Sequence, residues 1–365
     1  MKKLMIISET IGGGLRKHLL LLLHHLDLSH FSEIILIYGN RYDAIFEEDI
    51  PQLKEKGIKL INIPSLVRSL NPRKDMTAYR QISKIIKEEQ PDIVHCHSSK
   101  AGIIGRVAAK RRGVKKVFYT PHGYSFQADE FSPLKQRLFT CIEREASRHA
   151  TTMTFTVSEG EKQLAIDKGI DRPCKFDVIY NGLPDIQIKK GELRSFLGLN
   201  EEDMVIGNCA RISAQKNVDL FIGIAQSYLR FHPKAHFVWI GDGENVEKYN
   251  MLHPNIHFIG FQSDSEELVT DFNVFLTTSL YEGLPYASVE ALRASVPVVA
   301  SDVVGNSDIV IPGVNGFLYP LNDVDSAIKA IEKTKLINKE DIKHDFEQRF
   351  SLDKMIEKIE GHYLC

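Results

Sequence analysis

Short runs of aliphatic and β-branched residues alternate along the chain with longer stretches in which apolar residues recur every three or four positions. The first kind of run suits a strand buried on both faces, and the second suits an amphipathic helix. In the first half the pattern predicts strands at Leu4–Ile7, Ile34–Tyr38, Lys59–Ile63, Ile93–His97, Val117–Thr120 and Thr154–Val157. Helices are predicted between several of them, at Leu15–Leu26, Thr77–Glu89, Gly102–Arg112 and Pro133–His149. After about residue 184 the alternation restarts. Strands are predicted at Val205–Ala210, Ala235–Ile240, Ile256–Gly260, Val274–Thr278 and Val296–Ser301, with helices at Val218–Phe231, Glu266–Asp271, Pro285–Ala294 and Asp325–Lys333. The polar stretch Leu183–Glu192 reads as a linker, and a last helix covers Ser351–Tyr363. This alternation is that of βαβ units around parallel sheets. It implies two doubly wound α/β domains, 1–183 and 184–350, and a C-terminal helix, 351–365, placed to pack back on the first. Ligands of such sheets meet the carboxyl ends of the strands, and the cleft between two such domains is the natural place for a substrate.

Composition narrows this picture only by exclusion. With 43% hydrophobic and 26% charged residues over 365 positions, the chain has ample material for packed cores, which excludes a disordered or disulfide-stapled class. The longest aliphatic run, Leu19–Leu23, is far short of the ~20 residues of a membrane-spanning helix. A first strand beginning at Leu4 leaves no room for a signal peptide. Cys96, Cys141, Cys174, Cys209 and Cys365 are scattered and never paired as C-x-x-C, which suits a reducing cytoplasm. Charge adds more. Residues 1–183 hold 29 Lys+Arg against 21 Asp+Glu, whereas residues 184–365 hold 17 against 27, so a net charge of −2 conceals a basic first half and an acidic second half. A basic half is suited to an anionic partner, although drift between two unrelated surfaces would leave the same asymmetry.

The residues that follow the strands carry the chemistry. Gly12-Gly13-Gly14 follows the first strand and opens a helix, where glycines let a ligand approach the backbone and free N–H groups favour an anion. A dinucleotide fingerprint does not fit, because Lys17 stands at the third glycine position and no acid follows the second strand; a Gly-Lys-Ser/Thr phosphate loop is also missing. Arg16 and Lys17 oppose the helix dipole in its first turn, so they either face a phosphate or anionic acceptor or are simply solvated. His95-x-His97, with His122 beyond the next strand, is a potential zinc pattern, but no carboxylate or thiolate completes a tetrahedral set, and His95 is read as structural. His122, between Pro121 and Gly123, suits hydrogen bonding to a sugar or acyl group. In the second half, Arg211 and Lys216 stand at a strand's end, where two cations suit a diphosphate, although a surface ion pair is the commoner fate of either. Gly241-Asp242-Gly243 is a close-approach turn at the next strand end. In the segment Ser279–Glu290, Pro285 suits a first helical position and the N–H groups of Tyr286 and Ala287 would point at an anion. Glu282 and Glu290 are poor phosphate ligands but good acceptors for hydroxyls, which suits a ligand with hydroxyls on both sides of a diphosphate. A nucleotide sugar has that shape.

With these residues in place, the Glu282-x7-Glu290 pair, Arg211, Lys216 and Tyr180-Asn181-Gly182 resemble the motifs of the family-four retaining glycosyltransferases, built on the GT-B fold of two Rossmann-like domains facing a cleft. The resemblance runs from Gly12-Gly13 to Gly313-Val314-Asn315-Gly316-Phe317. Val67–Pro72 and His97–Gly102 look like the branch that builds capsule, exopolysaccharide or O-antigen chains. It implies that Glu282 holds donor-sugar hydroxyls and Glu290 the nucleotide ribose. It further implies that Arg211 and Lys216 bind the diphosphate with the backbone of Leu284, Pro285, Tyr286 and Ala287. His122 would touch the donor sugar, with Gly241 on the donor side and Gly12-Gly13 bordering diphosphate and acceptor. Arg16, Lys17 and Lys100 are the acceptor-side candidates. The family's Gly-Gly-x-x-Glu is here Val304-Gly305-Asn306-Ser307-Asp308, a departure in one glycine and in the acid.

Two cations and a helix end can stabilise a departing diphosphate without a metal, each well-placed donor being worth ~3–4 kcal/mol. The lone Asp-x-Asp, Asp323-x-Asp325, sits where helix capping is expected, so no divalent metal and no other cofactor is expected. The implied donor is a nucleotide sugar, UDP ahead of GDP, and the implied acceptor a saccharide on polyprenyl diphosphate. Lys110-Arg111-Arg112 and Lys115-Lys116, with Arg68, Arg73 and Lys74, suggest contact with an anionic membrane at its cytoplasmic face; helix-end capping is the simpler account of the first cluster. No nucleic-acid motif is present. A nucleotide-sugar 2-epimerase of the same fold and a binding subunit without turnover are the alternatives. The Glu-x7-Glu spacing argues against the first, and the intact Glu282, Glu290, Arg211 and Lys216 against the second.

Overall fold

Runs such as Ile34–Ile37 are buried on both faces, as only a sheet covered by helices on each side allows. The structure is a computed structural model that describes residues 1–127, 131–186, 189–243, 249 and 252–365. The chain forms two units, Met1–Tyr180 with Met355–Cys365, and Asn181–Lys354. In the first, β1 (Lys2–Ile11), α1 (Gly13–His25), β2 (Phe31–Tyr42), α2 (Ala44–Glu55), β3 (Lys59–Asn62), α3 (Pro72–Glu89), β4 (Ile93–His97), α4 (Ser99–Arg111), β5 (Lys116–Thr120), α5 (Pro133–Ala150), β6 (Met153–Thr156), α6 (Glu159–Asp167) and β7 (Phe176–Val178) alternate. The seven strands are parallel in the order β3-β2-β1-β4-β5-β6-β7, so the winding reverses between β1 and β4.

In the second unit the order of elements is α7 (Glu192–Leu197), β8 (Val205–Cys209), α8 (Val218–Leu229), β9 (His236–Ile240), β10 (Ile256–Phe258), α9 (Ser265–Leu268), β11 (Val274–Thr277), α10 (Tyr286–Arg293), β12 (Val298–Ser301), α11 (Asn306–Ile309), β13 (Gly316–Tyr319), α12 (Val324–Lys333) and α13 (Lys339–Arg349). Its parallel sheet runs β10-β9-β8-β11-β12-β13 and reverses between β8 and β11. The last helix, α14 (Leu352–Leu364), packs on the first unit. There Tyr363 Oη meets His95 Nδ1 at 2.5 Å, Lys2 Nζ donates to the Tyr363 and Leu364 carbonyls, and His362 Nε2 lies 2.7 Å from Asp177. With Thr120 Oγ1 at 2.8 Å from His95 Nε2, both His95 nitrogens are engaged, as suits a structural histidine.

The first core closes around α4. A Cβ on Gly102 would lie 2.4 Å from the Tyr119 ring, and this close approach lets Arg106 stack 3.8 Å over Tyr119 and donate to Glu143 at 2.9 Å. The pair is buried, and such pairs hold a geometry more than they add stability.

Several elements escaped the pattern for identifiable reasons. β7 is three residues long and follows Pro173, α2 carries Pro51, and α13 is almost wholly charged except for Ile342 and Phe346, which it buries. The linker expected at Leu183–Glu192 is anchored at both ends: Leu183 exchanges backbone hydrogen bonds with Phe350 and Leu352, and Asp271 accepts from Gly191 N and Leu193 N. Gln187 and Ile188 of that stretch lie outside the described residues.

Candidate active site

In the second unit the site grows from the β8–β11 reversal. β8 ends at Cys209, and the following turn is held by Trp239 Nε1 donating to Ala210 O at 2.8 Å and Ile212 N to Asp242 O at 2.8 Å. Gly241 makes this possible, since at φ +136° a Cβ would stand 2.3 Å from Ala210 O. Arg211 is thereby left exposed at the carboxyl edge. The next turn, Ala214–Lys216, is stitched to the loop after β11: Leu280 N donates to Gln215 O, Gln215 Nε2 to Tyr281 O, and Thr278 Oγ1 to Lys216 O. This brings Lys216 Nζ to 2.5 Å from Oε1 of Glu282, a carboxylate that is only 6% exposed. Residues 66 positions apart thus meet as an ion pair, positioned by backbone bonds on both sides.

Helix α10 begins just beyond. Pro285 is its N-cap, with Tyr286 the first helical residue, one position later than expected; an extended ψ of 123° keeps Pro285 outside the helix. No side chain caps this end and no acid stands in its first turn, so its N–H dipoles carry partial positive charge toward the Glu282 loop. Asn181 Nδ2, donating to Leu284 O at 2.8 Å, fixes the peptide that leads into the helix. Ser288 Oγ is buried without a hydrogen-bond partner among the described residues. Glu290 is buried one turn after Tyr286, and burial together with the Glu290 charge pushes the Tyr286 phenol well above its usual range. Glu282, Glu290, Lys216 and the α10 terminus therefore surround one sheet edge. Asp323 caps α12, accepting from Ser326 N at 2.9 Å.

In the first unit the reversal lies between β1 and β4. Gly12 is the uncapped N-cap of α1, and Gly13 takes φ +56°. Arg16 Nη1 is 2.6 Å from Asp43, which answers its cation in a dipole-opposing position; Lys17 is half-buried beside it. Lys100, another acceptor-side candidate, reaches Asp75 at 2.7 Å and the Ser69 carbonyl, tying the loop before α3 to α4. His122 takes φ +55° after β5, its loop held by Gly123 N donating to Glu161 at 2.7 Å. Burial, with His18 adjacent, holds its imidazole well below the usual range and hence neutral at pH 7.

Two residues escaped the sequence reading. Glu9, buried at the end of β1, accepts from Ser98 Oγ, Lys100 N and Ala101 N and so fills the α4 N-terminus with an internal carboxylate. An acid shortly after the apolar run Leu4–Ile7, near the carboxyl end of the strand, was the available signal. His18, on the buried face of α1, meets His97 and His122. The basic residues also separate: Arg73 and Lys74 open α3 at the carboxyl edge of the sheet, whereas Lys110–Arg112 close α4 about 20 Å away at the amino edge. There Arg111 bonds Tyr79, Arg112 bonds Ser83, and Lys116 bonds the Tyr363 carbonyl.

Comparison with known proteins bears on both halves. Glycosyltransferase Family 4 matches residues 12–185 and Glycosyl transferases group 1 matches residues 189–350. An Escherichia coli protein, UDP-Gal:alpha-D-GlcNAc-diphosphoundecaprenol alpha-1,3-galactosyltransferase, is 32% identical over 331 residues, covering 85% of this chain and 84% of the relative. The chain belongs to the family-four glycosyltransferases. It is a sugar-transferring enzyme of the polysaccharide-building branch, similar also to the capsular polysaccharide glycosyltransferase CapM of Staphylococcus aureus, at 25% identity over 87% of this chain and 88% of CapM. The two Rossmann-like units are those of the GT-B fold: the Anabaena HepE structure in complex with UDP and glucose matches with a TM-score of 0.80 at 19% identity, covering 99% of each chain.

Proposed function

We propose that this glycosyltransferase moves a hexose or N-acetylhexosamine from a UDP-sugar to a saccharide carried on polyprenyl diphosphate, with retention at the anomeric carbon. The observation that carries this reading is the Lys216–Glu282 pair beside the uncapped α10 terminus. One cation and one helix end are set for a diphosphate, and one acid for hydroxyls next to it. The E. coli relative, whose name states a UDP-galactose donor and a diphosphoundecaprenol-linked acceptor, supports the same substrate classes.

In the reaction the bond from the anomeric carbon to the diphosphate oxygen breaks and its electron pair leaves with the phosphate. Arg211, Lys216 and the N–H groups from Leu284 to Ala287 stabilise that growing charge, which is where preorganised donors lower a barrier most. Glu282 holds sugar hydroxyls and Glu290 the ribose, and Gly241 keeps the turn beneath Arg211 low. A hydroxyl of the acceptor attacks the same face and gives its proton to the departing phosphate oxygen. His122 and the Gly12-Gly13 turn keep their sugar- and acceptor-side roles. Arg16 and Lys100, each with an internal carboxylate partner, shape the acceptor side together with Lys17. No divalent metal is required by this arrangement.

Access to a lipid-linked acceptor calls for a peripheral position at an anionic membrane. Arg68, Arg73 and Lys74 at the carboxyl edge, interleaved with Leu70 (69% exposed) and Met76 (51% exposed), fit that contact better than the amino-edge cluster at Lys110–Lys116. No helix among the described residues is long and apolar enough to cross a membrane.

The test is product analysis with a panel of nucleotide sugars and a synthetic prenyl-diphosphate sugar acceptor. Transfer from a UDP-sugar with an axial anomeric product is expected, and Glu282→Gln should lower it while leaving the melting temperature unchanged. Conversion of the donor without acceptor, or undiminished transfer by the variant, would refute the reading.

A further inference from the structure

Three histidines from three elements converge at the β1–β4 reversal. His97 Nδ1 lies 3.0 Å from His122 Nε2, the His18 and His122 rings are 4.6 Å apart edge to face, and one nitrogen of each of the three falls within 4.8 Å of the others. Two nitrogens bound ~2.05 Å from one ion at tetrahedral to octahedral angles stand about 2.9–3.3 Å apart, so the His97–His122 contact already has the spacing of a shared coordination sphere. His18 must close by roughly an ångström and a half at most, within reach of a side-chain adjustment on α1.

His97 is fully buried. Its Nδ1 faces His122, so its Nε2, which has no hydrogen-bond partner among the described residues, is where the ring carries its proton when Nδ1 meets an ion. His95, its ring centroid 4.0 Å from that of His97 and tilted by 41°, is excluded from the set because Tyr363 and Thr120 occupy both its nitrogens. The left-handed backbone of His122 keeps its ring turned to His97 rather than outward. Burial keeps His97 and His122 neutral, the form that donates to a metal.

We propose that His18, His97 and His122 form a three-imidazole site for a late first-row divalent cation such as Zn2+, with its remaining coordination open to water. Imidazole without carboxylate selects zinc, nickel or copper over magnesium and calcium. On binding, the proton shared by His97 and His122 moves to the other nitrogen of the ring that held it, so three neutral ligands meet the ion with no proton released. Because the ion takes a nitrogen of His122, it also withdraws that ring from the donor sugar. Zinc is therefore an inhibitor of transfer, a consequence that rests on the role given to His122 above.

The test uses the full chain stripped with a chelator, without sugar substrates, so that it stands apart from any failure of the transfer reading. Calorimetry with Zn2+ and visible spectra with Co2+ should show one ion per chain, with the intense bands of a four-coordinate Co2+ centre. His18→Gln and His97→Gln should each weaken binding by more than the ~10–100-fold that loss of a second-shell partner costs. His149→Gln, at an exposed position on α5, should bind as the wild type does. Should a variant fail to fold, zinc-edge X-ray absorption on the wild type counts the imidazoles directly. Three would support the site. Fewer than three, absence of stoichiometric uptake, or unchanged affinity in a folded His18→Gln protein would overturn it.

Discussion

Replacing Lys216 by alanine separates the two things its ammonium does. In the folded chain it stands 2.5 Å from Glu282, whose side chain is 7% exposed while that of Lys216 is 21% exposed. Removing it leaves a carboxylate largely out of water without its partner, which costs about 1–3 kcal/mol of stability. Partial exposure of the lysine favours the lower end of that range. In the proposed reaction the same cation would face the departing diphosphate, where one well-placed donor is worth ~3–4 kcal/mol of barrier. At 1.36 kcal/mol per tenfold, that is roughly 150- to 900-fold in kcat/KM. Initial rates at varied donor concentration measure the second effect and thermal unfolding measures the first. The Lys216→Ala/Glu282→Gln double variant sorts them: an amide of the same shape does not need the cation, so the melting temperature should recover while transfer stays low. A fall in kcat/KM of less than about tenfold in Lys216→Ala, with the protein folded, would refute the assignment of this lysine to the leaving group.

Other expectations follow from the same geometry. Transfer should persist in EDTA; loss of activity on chelation would contradict metal-independent stabilisation by Arg211, Lys216 and the α10 terminus. Arg73→Glu with Lys74→Glu should weaken sedimentation with phosphatidylglycerol vesicles, at about 1 kcal/mol per cation removed, and Lys110→Glu with Lys115→Glu should not; the reverse order would move the membrane face to the other edge. Gly305→Ala places a Cβ 2.4 Å from the Gly283 carbonyl at φ +87°, a strain of about 1–3 kcal/mol that must displace the loop bearing Glu282. Transfer should fall more steeply than melting temperature, and equal loss of both would mean simple unfolding. In the second unit the His257 ring is pushed down to about 4 by burial and by His236, 3.1 Å away, with Asp203 and Arg194 facing His236. Between pH 6.5 and 4 the unfolded chain takes up a proton there that the folded chain does not, so stability declines as pH falls through that window. With the ring partly solvated, the effect is held to about 1 kcal/mol, and His257→Gln should flatten the pH dependence of urea unfolding by that amount.

Much of the chain was legible from order and periodicity alone. Strands buried on both faces must be almost continuously apolar, and helices covering them must repeat near 3.6, so runs such as Ile34–Ile37 announce themselves. Because a parallel sheet puts function at its carboxyl edge, knowing the strands was enough to single out Arg211, Lys216, Glu282, Glu290 and His122 as candidates, to which the family resemblance then attached roles. Elements held by tertiary contact were not legible in this way, such as α13, polar except where Ile342 and Phe346 dock, or three-residue β7.

Sequence by itself determined the two-fold βαβ succession and the types of side chain at each strand end, because backbone geometry converts local pattern into local structure without reference to distant residues. Only the folded chain decided which of those side chains meet. Lys216 pairs with Glu282 because backbone bonds tie the turn at residues 214–216 to the loop after β11; Arg16 and Lys100 find carboxylates on other elements; and His18 joins His97 and His122 across three. Such encounters depend on which strands lie side by side at each reversal, and an ion pair or a ligand set is set by distance in space, which spacing along the chain does not encode.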